Sequence, residues 1–194
     1  MKKETKEKIL ESAFELFSKK GYLATTTKEI AQKARVSEVT LFRHFKSKEE
    51  LFTEVIKFHS FLPEFKTLLN KIKDQPYEVV LYKIAEAFLD FLNNKKDFIQ
   101  LITMESYRYP EKVKKNLELI KKELLETLSL YFEYLKKHKG FKIEEPYVTA
   151  SAFLGMFFSY FYMKELQGFF QENSFDKEKV LKIFIKIFIK GFKD

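Results

Sequence analysis

The side chains with the clearest capacity for specific chemistry lie between Lys28 and Lys48. Lys28, Ser37, Glu38, Thr40 and Arg43 supply donors and acceptors, and Val39 and Thr40 add methyl groups. An arginine can grip guanine O6 and N7, a glutamate can accept from cytosine N4, and valine or threonine methyls pack on a thymine methyl. Competing chemistries find little support. Cysteine is absent, which removes disulfides, thiolate metal sites and cysteine nucleophiles together. The histidines His44, His59 and His138 are widely separated and lack metal-ligand spacing. There is no phosphate-binding loop, G-x-G-x-x-G or G-x-S-x-G motif. Neither an enzyme nor a bound metal or cofactor is expected.

Base-edge chemistry is usable only on a narrow, rigid element, and the local pattern predicts one. Thr26 precedes the apolar residues Ile30, Ala31 and Ala34, with Glu29 three places on, the Thr-x-x-Glu box that opens a helix. Arg35-Val36-Ser37 breaks that pattern, and Ser37 can cap a second helix with Leu41 and Phe45 four apart on its inner face. Glu38, Val39, Thr40 and Arg43 then point outward, and such a helix has the dimensions to enter a DNA major groove. Thr26 and Thr27 stand at the first helix start, where free backbone N–H groups attract a phosphate. A first helix over Thr5–Lys20 precedes this pair, with Gly21 as its stop. Ser47-Lys48-Glu49-Glu50 starts a fourth helix, which runs to Phe61 before Pro63 interrupts it.

Residues 8–52 resemble the DNA-binding domain of the tetracycline-repressor (TetR) family of bacterial transcription regulators. The resemblance rests on Ile9 to Phe17, Gly21, Thr26 with Ile30-Ala31, Val36-Ser37, Thr40-Leu41, His44-Phe45 and Ser47 to Leu51. It implies phosphate contacts from His44 and Lys48, and it places Phe42 on the DNA-facing side. There the family more often carries a tyrosine, whose hydroxyl Phe42 lacks. Arg35 stands where the family usually has glycine. A residue with a Cβ resists positive φ, so the resemblance and the residue type disagree about that turn.

The rest of the 194 residues predicts an all-α chain of about nine helices. Five Gly and four Pro leave few turns for sheets, and 45% apolar residues suffice for a packed core. Further helices are predicted over Tyr77–Asn93, Phe98–Tyr107, Pro110–Lys139, Tyr147–Gln167 and Lys177–Phe192. The expected division is a helix-turn-helix head over residues 1–47 and a larger effector-binding and dimerisation bundle over 48–194. A net charge of +8 suits a polyanionic partner, although Lys/Glu-rich surfaces also arise for thermal or compositional reasons.

One head reads few base pairs, so two are needed, and a homodimer on a palindromic double-stranded operator follows. Wide apolar faces in the last two helices suggest the interface: Ala150, Phe153, Leu154, Phe158, Phe161 and Tyr162 on one, Val180, Phe184, Ile187 and Phe188 on the other. The same faces read equally as internal core until the resemblance is added. That resemblance also implies a ligand pocket in the middle of the chain. Eighteen of the 23 Phe follow residue 52, so its walls would be aromatic. Candidates are Phe58, His59, Phe61, Phe65, Phe88, Phe91, Phe98, Ile102, Met104, Tyr107 and Phe157, and the ligand a hydrophobic or amphipathic molecule such as a fatty acyl compound or a drug. No apolar run is long enough for a bilayer and no signal-peptide pattern opens the chain, so a soluble, cytoplasmic protein is expected. The function implied is a ligand-released repressor; the alternative is a constitutive or architectural DNA-binding protein without an effector.

Overall fold

The computed structural model describes residues 2–169 and 176–193. Among the described residues the chain forms ten α-helices and no strand. They are α1 (Lys2–Ala24), α2 (Thr27–Lys33), α3 (Glu38–His44), α4 (Lys48–Phe58), α5 (Leu62–Ile72), α6 (Tyr77–Asn94), α7 (Lys96–Glu105), α8 (Glu111–Lys139), α9 (Pro146–Phe161) and α10 (Lys177–Lys193). A 3₁₀ turn, Ser106–Arg108, separates α7 from α8, and a π-helical turn, Tyr162–Leu166, follows α9. The all-α architecture agrees with the sequence pattern, with one helix added. Pro63 ends no structure. It occupies the first turn of α5, where its missing N–H has no partner to lose.

The chain separates into two compact units. Met1–Ser60 and Lys96–Lys121 form the first. Its core joins Ile9, Leu10, Ala13 and Phe17 of α1, Ile30 and Ala31 of α2, Leu41 and Phe45 around α3, and Leu51, Phe52 and Val55 of α4. Phe98 of α7, Tyr109 in the turn before α8 and Val113 of α8 belong to the same cluster. The expected boundary after residue 47 therefore falls inside continuous packing, because the apolar face of α4 is spent on α1. Continuous helical geometry fails once within α1, at Gly21 (φ 78°, ψ 171°), so the regular helix stops near Lys20 as the sequence indicates.

Phe61–Lys95 and Lys122–Asp194 form the second unit. Phe61 lies 5.6, 5.2 and 5.4 Å, ring centre to ring centre, from Phe65, Phe88 and Phe91. Farther along, Phe132, Phe153 and Phe188 form a triangle with separations of 4.9–5.9 Å, so α8, α9 and α10 meet through aromatic side chains. Edge and tilted pairs of this kind add to burial through the ring quadrupole.

Candidate nucleic-acid interface

Thr26 caps α2 in both directions expected of its box. The Glu29 N–H donates to Thr26 Oγ1 at 3.2 Å, and the Thr26 N–H donates to Glu29 Oε2 at 3.0 Å. Lys20 Nζ also reaches Glu29, at 2.6 Å. The ammonium of Lys20 first, then the two Thr26 hydrogen bonds, hold the Glu29 carboxyl down to about 2.

The turn into α3 is a Schellman motif. Ala34 is the C-cap of α2, Arg35 N–H donates to Gln32 O at 3.1 Å and Val36 N–H to Ala31 O at 3.0 Å. That geometry needs a left-handed residue between them. Arg35 takes it, with φ 56°, the sole positive φ outside glycine among the described residues. The turn geometry thus wins over the Cβ penalty, as neighbouring packing and two backbone hydrogen bonds outweigh it.

Ser37 starts α3 by accepting from the Thr40 N–H at 3.1 Å, and its hydroxyl also meets Thr40 Oγ1 at 3.0 Å. Leu41 and Phe45 are buried to 0% and 1% exposure, and this fixes the helix's rotation on α2. The opposite face is open: Val39 is 80% exposed and Phe42 43%, with Glu38 and Arg43 exposed beside them. Thr40 and His44 are half-buried at the edges of this face. Thr27 donates its hydroxyl to Glu38 Oε1 at 3.0 Å, bridging the start of α2 to the start of α3. Glu38 is thus held in place, while Lys28 and Thr26 stay exposed near the same end of α2.

Lys48 behaves differently from a free phosphate contact. Its ammonium lies 4.5 Å over the Tyr22 ring and donates to Leu23 O at 3.3 Å. Desolvation there lowers its pKa against the pull of Glu49 and Glu105. Ser47 caps α4 through the Glu50 N–H at 3.2 Å, but Glu50 Oε2 accepts from Lys46 N–H, one residue earlier than a capping box requires. Sequence reasoning gave no sign of the Tyr22–Lys48 contact, since it joins residues with no shared periodicity.

Two family models match the chain: the bacterial regulatory proteins of the tetR family over residues 9–55, and the C-terminal domain of AefR-like transcriptional repressors over residues 79–191. The uncharacterised helix-turn-helix-type transcriptional regulator YvkB of Bacillus subtilis strain 168 is 33% identical over 190 residues, covering 96% of each chain. The chain belongs to the TetR family. Over the head alone, the regulator QacR of Staphylococcus aureus strain Mu50 is 53% identical across 51 residues, 26% of this chain and 27% of that one. A candidate TetR-family regulator from Mesorhizobium loti shares the fold with a TM-score of 0.80 at 23% identity, over 99% of this chain and 98% of the other. AibR, solved with isovaleryl coenzyme A and operator DNA, superposes with a TM-score of 0.66 at 21% identity over 95% and 98%. This is a family of DNA-binding transcription regulators rather than enzymes, in which repression, ligand binding and homodimers are typical. Among the described residues no helix is long and apolar enough to cross a membrane.

Against a TetR arrangement, the expected pocket residues fall into separate neighbourhoods. Phe61, Phe65, Phe88 and Phe91 come together in the second unit. Phe157 lies fully buried against Phe153 and Phe184 of that unit. His59 and Phe98 instead flank Phe14 in the first unit, at 3.9 and 4.7 Å, and Ile102 packs on that unit's core. Phe58, Met104 and Tyr107 are 45, 64 and 68% exposed, so they are surface residues of the chain and not walls of a buried site. Aromatic composition carries no information on which way each ring turns.

The expected interface residues divide in a similar way. Ala150, Phe153, Leu154, Phe161, Val180 and Phe188 are buried within the single chain and belong to its own core. Phe158 and Ile187 are exposed, and Tyr162 and Phe184 half-buried. The open stripe on α9 runs instead through Val148, Ala152, Gly155 and Ser159, and α10 opens Ile183, Ile187 and Gly191. Their spacing of three and four residues is the signal that separates this face from the buried one.

Proposed function

We propose that this TetR-family regulator is a repressor, binding a palindromic operator as a homodimer and leaving it when a hydrophobic effector binds. The single observation that carries the DNA-reading part is α3: Ser37-capped, anchored by Leu41 and Phe45, and exposing Glu38, Val39, Phe42 and Arg43 on one face. Lys28, Ser37, Thr40 and Arg43 read base edges there together with Glu38 and Val39. Thr26, Thr27 and His44 meet the backbone, and Lys48 joins them with an N–H not used on Leu23 O. The dimer forms through the open stripes of α9 and α10, with Phe158 and Ile187 among the contacts.

The effector enters the second unit near Phe61, Phe65, Phe88 and Phe91, whose rings suit an acyl chain or a drug of similar shape. Two relatives of the fold favour an acyl ligand: AibR was solved with isovaleryl coenzyme A, and a Clostridium perfringens protein of 24% identity and TM-score 0.74 is described as a candidate fatty acid metabolism regulator. An effector that weakens operator binding a hundredfold must favour the DNA-free form by about 2.7 kcal/mol. Selecting bound duplexes from a random pool tests the reading. A recovered palindrome is the expected result, and an acyl compound should then release it. Recovery of no preferred sequence sinks the proposal, and a palindrome indifferent to every apolar ligand leaves the constitutive binder in its place.

A further inference from the structure

We propose that Glu105 is a positioning residue for DNA reading, a latch at the end of α7 that fixes the peptide leading into α2. Its carboxylate accepts the Tyr22 N–H at 2.9 Å from 83 residues away. The approach depends on Gly21: a Cβ there would come within 2.2 Å of Glu105 Oε1, and φ 78° already disfavours any other residue. Glycine is needed both for the bend and for the space the carboxylate fills.

The latch does not act alone on this connection. Thr25, fully buried, donates its hydroxyl to Gly21 O at 2.8 Å, and Lys48 donates to Leu23 O at 3.3 Å. The Tyr22 ring packs at 4.6 Å on Phe52 and 5.6 Å on Tyr109. Side chains from α4, from α7 and from the turn before α8 therefore fasten residues 21–25, immediately before the Thr26 cap. α2 and α3 follow as one rigid pair joined by the Schellman turn. The direction in which α3 presents Arg43 is accordingly set at Tyr22, and α7 reaches the DNA-reading pair through Glu105. Tyr22 is buried and its N–H meets a charged acceptor in a part-buried bond, which makes this a sensitive point, since a weakened donor there is costly.

The inference rests on α3 being the reading helix, and two variants of the full chain separate its parts. Glu105→Gln keeps an acceptor oxygen at the same reach without charge; Glu105→Asp keeps the charge but withdraws it by one methylene. Affinity is measured for a duplex selected by the unaltered protein and for a random-sequence duplex. Glu105→Asp should lose about tenfold on the selected duplex, the equivalent of one charged hydrogen bond, while Glu105→Gln stays within about threefold. The salt slope and random-duplex affinity should not move, because no phosphate contact is removed. A loss confined to Glu105→Gln would assign Glu105 a purely electrostatic part, and parallel losses on both duplexes would make it a phosphate effect; each overturns the latch. Amide exchange at Tyr22 reads the latch without DNA. It should quicken in Glu105→Asp, and unchanged exchange refutes the inference even if no duplex is selected.

Discussion

Arg35→Gly should stabilise this protein, an outcome opposite to that of most substitutions. Arg35 holds φ 56° in the Schellman turn between α2 and α3, and it is exposed. A left-handed conformation costs a residue with a Cβ roughly 1–2 kcal/mol, and glycine removes that strain. Glycine also frees the unfolded chain, which returns about 0.4–1 kcal/mol of the gain. The arginine lines a groove in which Lys8 and Lys33 accompany Glu4, Glu7 and Glu11, so the charges largely offset one another and losing the guanidinium changes stability little. The net is a stabilisation centred at about 0.8 kcal/mol within a span of about 0–1.6, or a rise in Tm of about 2–3 °C at the centre for a chain of this size. Thermal unfolding followed by helical circular dichroism is the assay, with Arg35→Ala as control. Alanine loses the same charge but keeps the strained φ, so it should give no rise. An equal rise for both variants would mean that charge, not backbone strain, governs this site; no rise for glycine would refute the argument.

Arg43→Ala should change the preference at one or two base positions by about 1–3 kcal/mol each, seen by repeating the duplex selection, while affinity for random DNA falls only slightly. Ile187→Glu, at a position 60% exposed in the single chain, should convert dimers to monomers in sedimentation without loss of helicity. If the dimer persists, the open stripe of α10 is not the interface. Glu29, held down to about 2 by Lys20 and Thr26, stabilises the fold above the ordinary carboxylate value of 4.5, and that contribution disappears as pH falls toward about 2. Between those pH values the unaltered protein should therefore lose more stability than Glu29→Gln does; identical acid profiles would refute the capping role.

The head was legible because its signals are local. Caps act within three or four residues, so Thr26 with Glu29 and Ser37 with Thr40 define α2 and α3 before any tertiary contact exists. The spacing of Leu41 and Phe45 likewise declares which face of α3 is inside. Pro63 shows the limit of local reasoning: a proline can stop one helix or start another, and here α4 has already ended at Phe58 and Pro63 starts α5. Tertiary structure alone decided three other matters. It assigned Phe153 and Phe161 to the chain's own core and left Phe158 and Ile187 outside, although all four are large and apolar. It turned Lys48 onto Tyr22 and Leu23 O. It also brought Glu105 to the Tyr22 N–H. Hydrophobicity has no direction and sequence periodicity reaches only a few turns, whereas these contacts join residues 25 and 83 positions apart whose meeting depends on how whole helices pack.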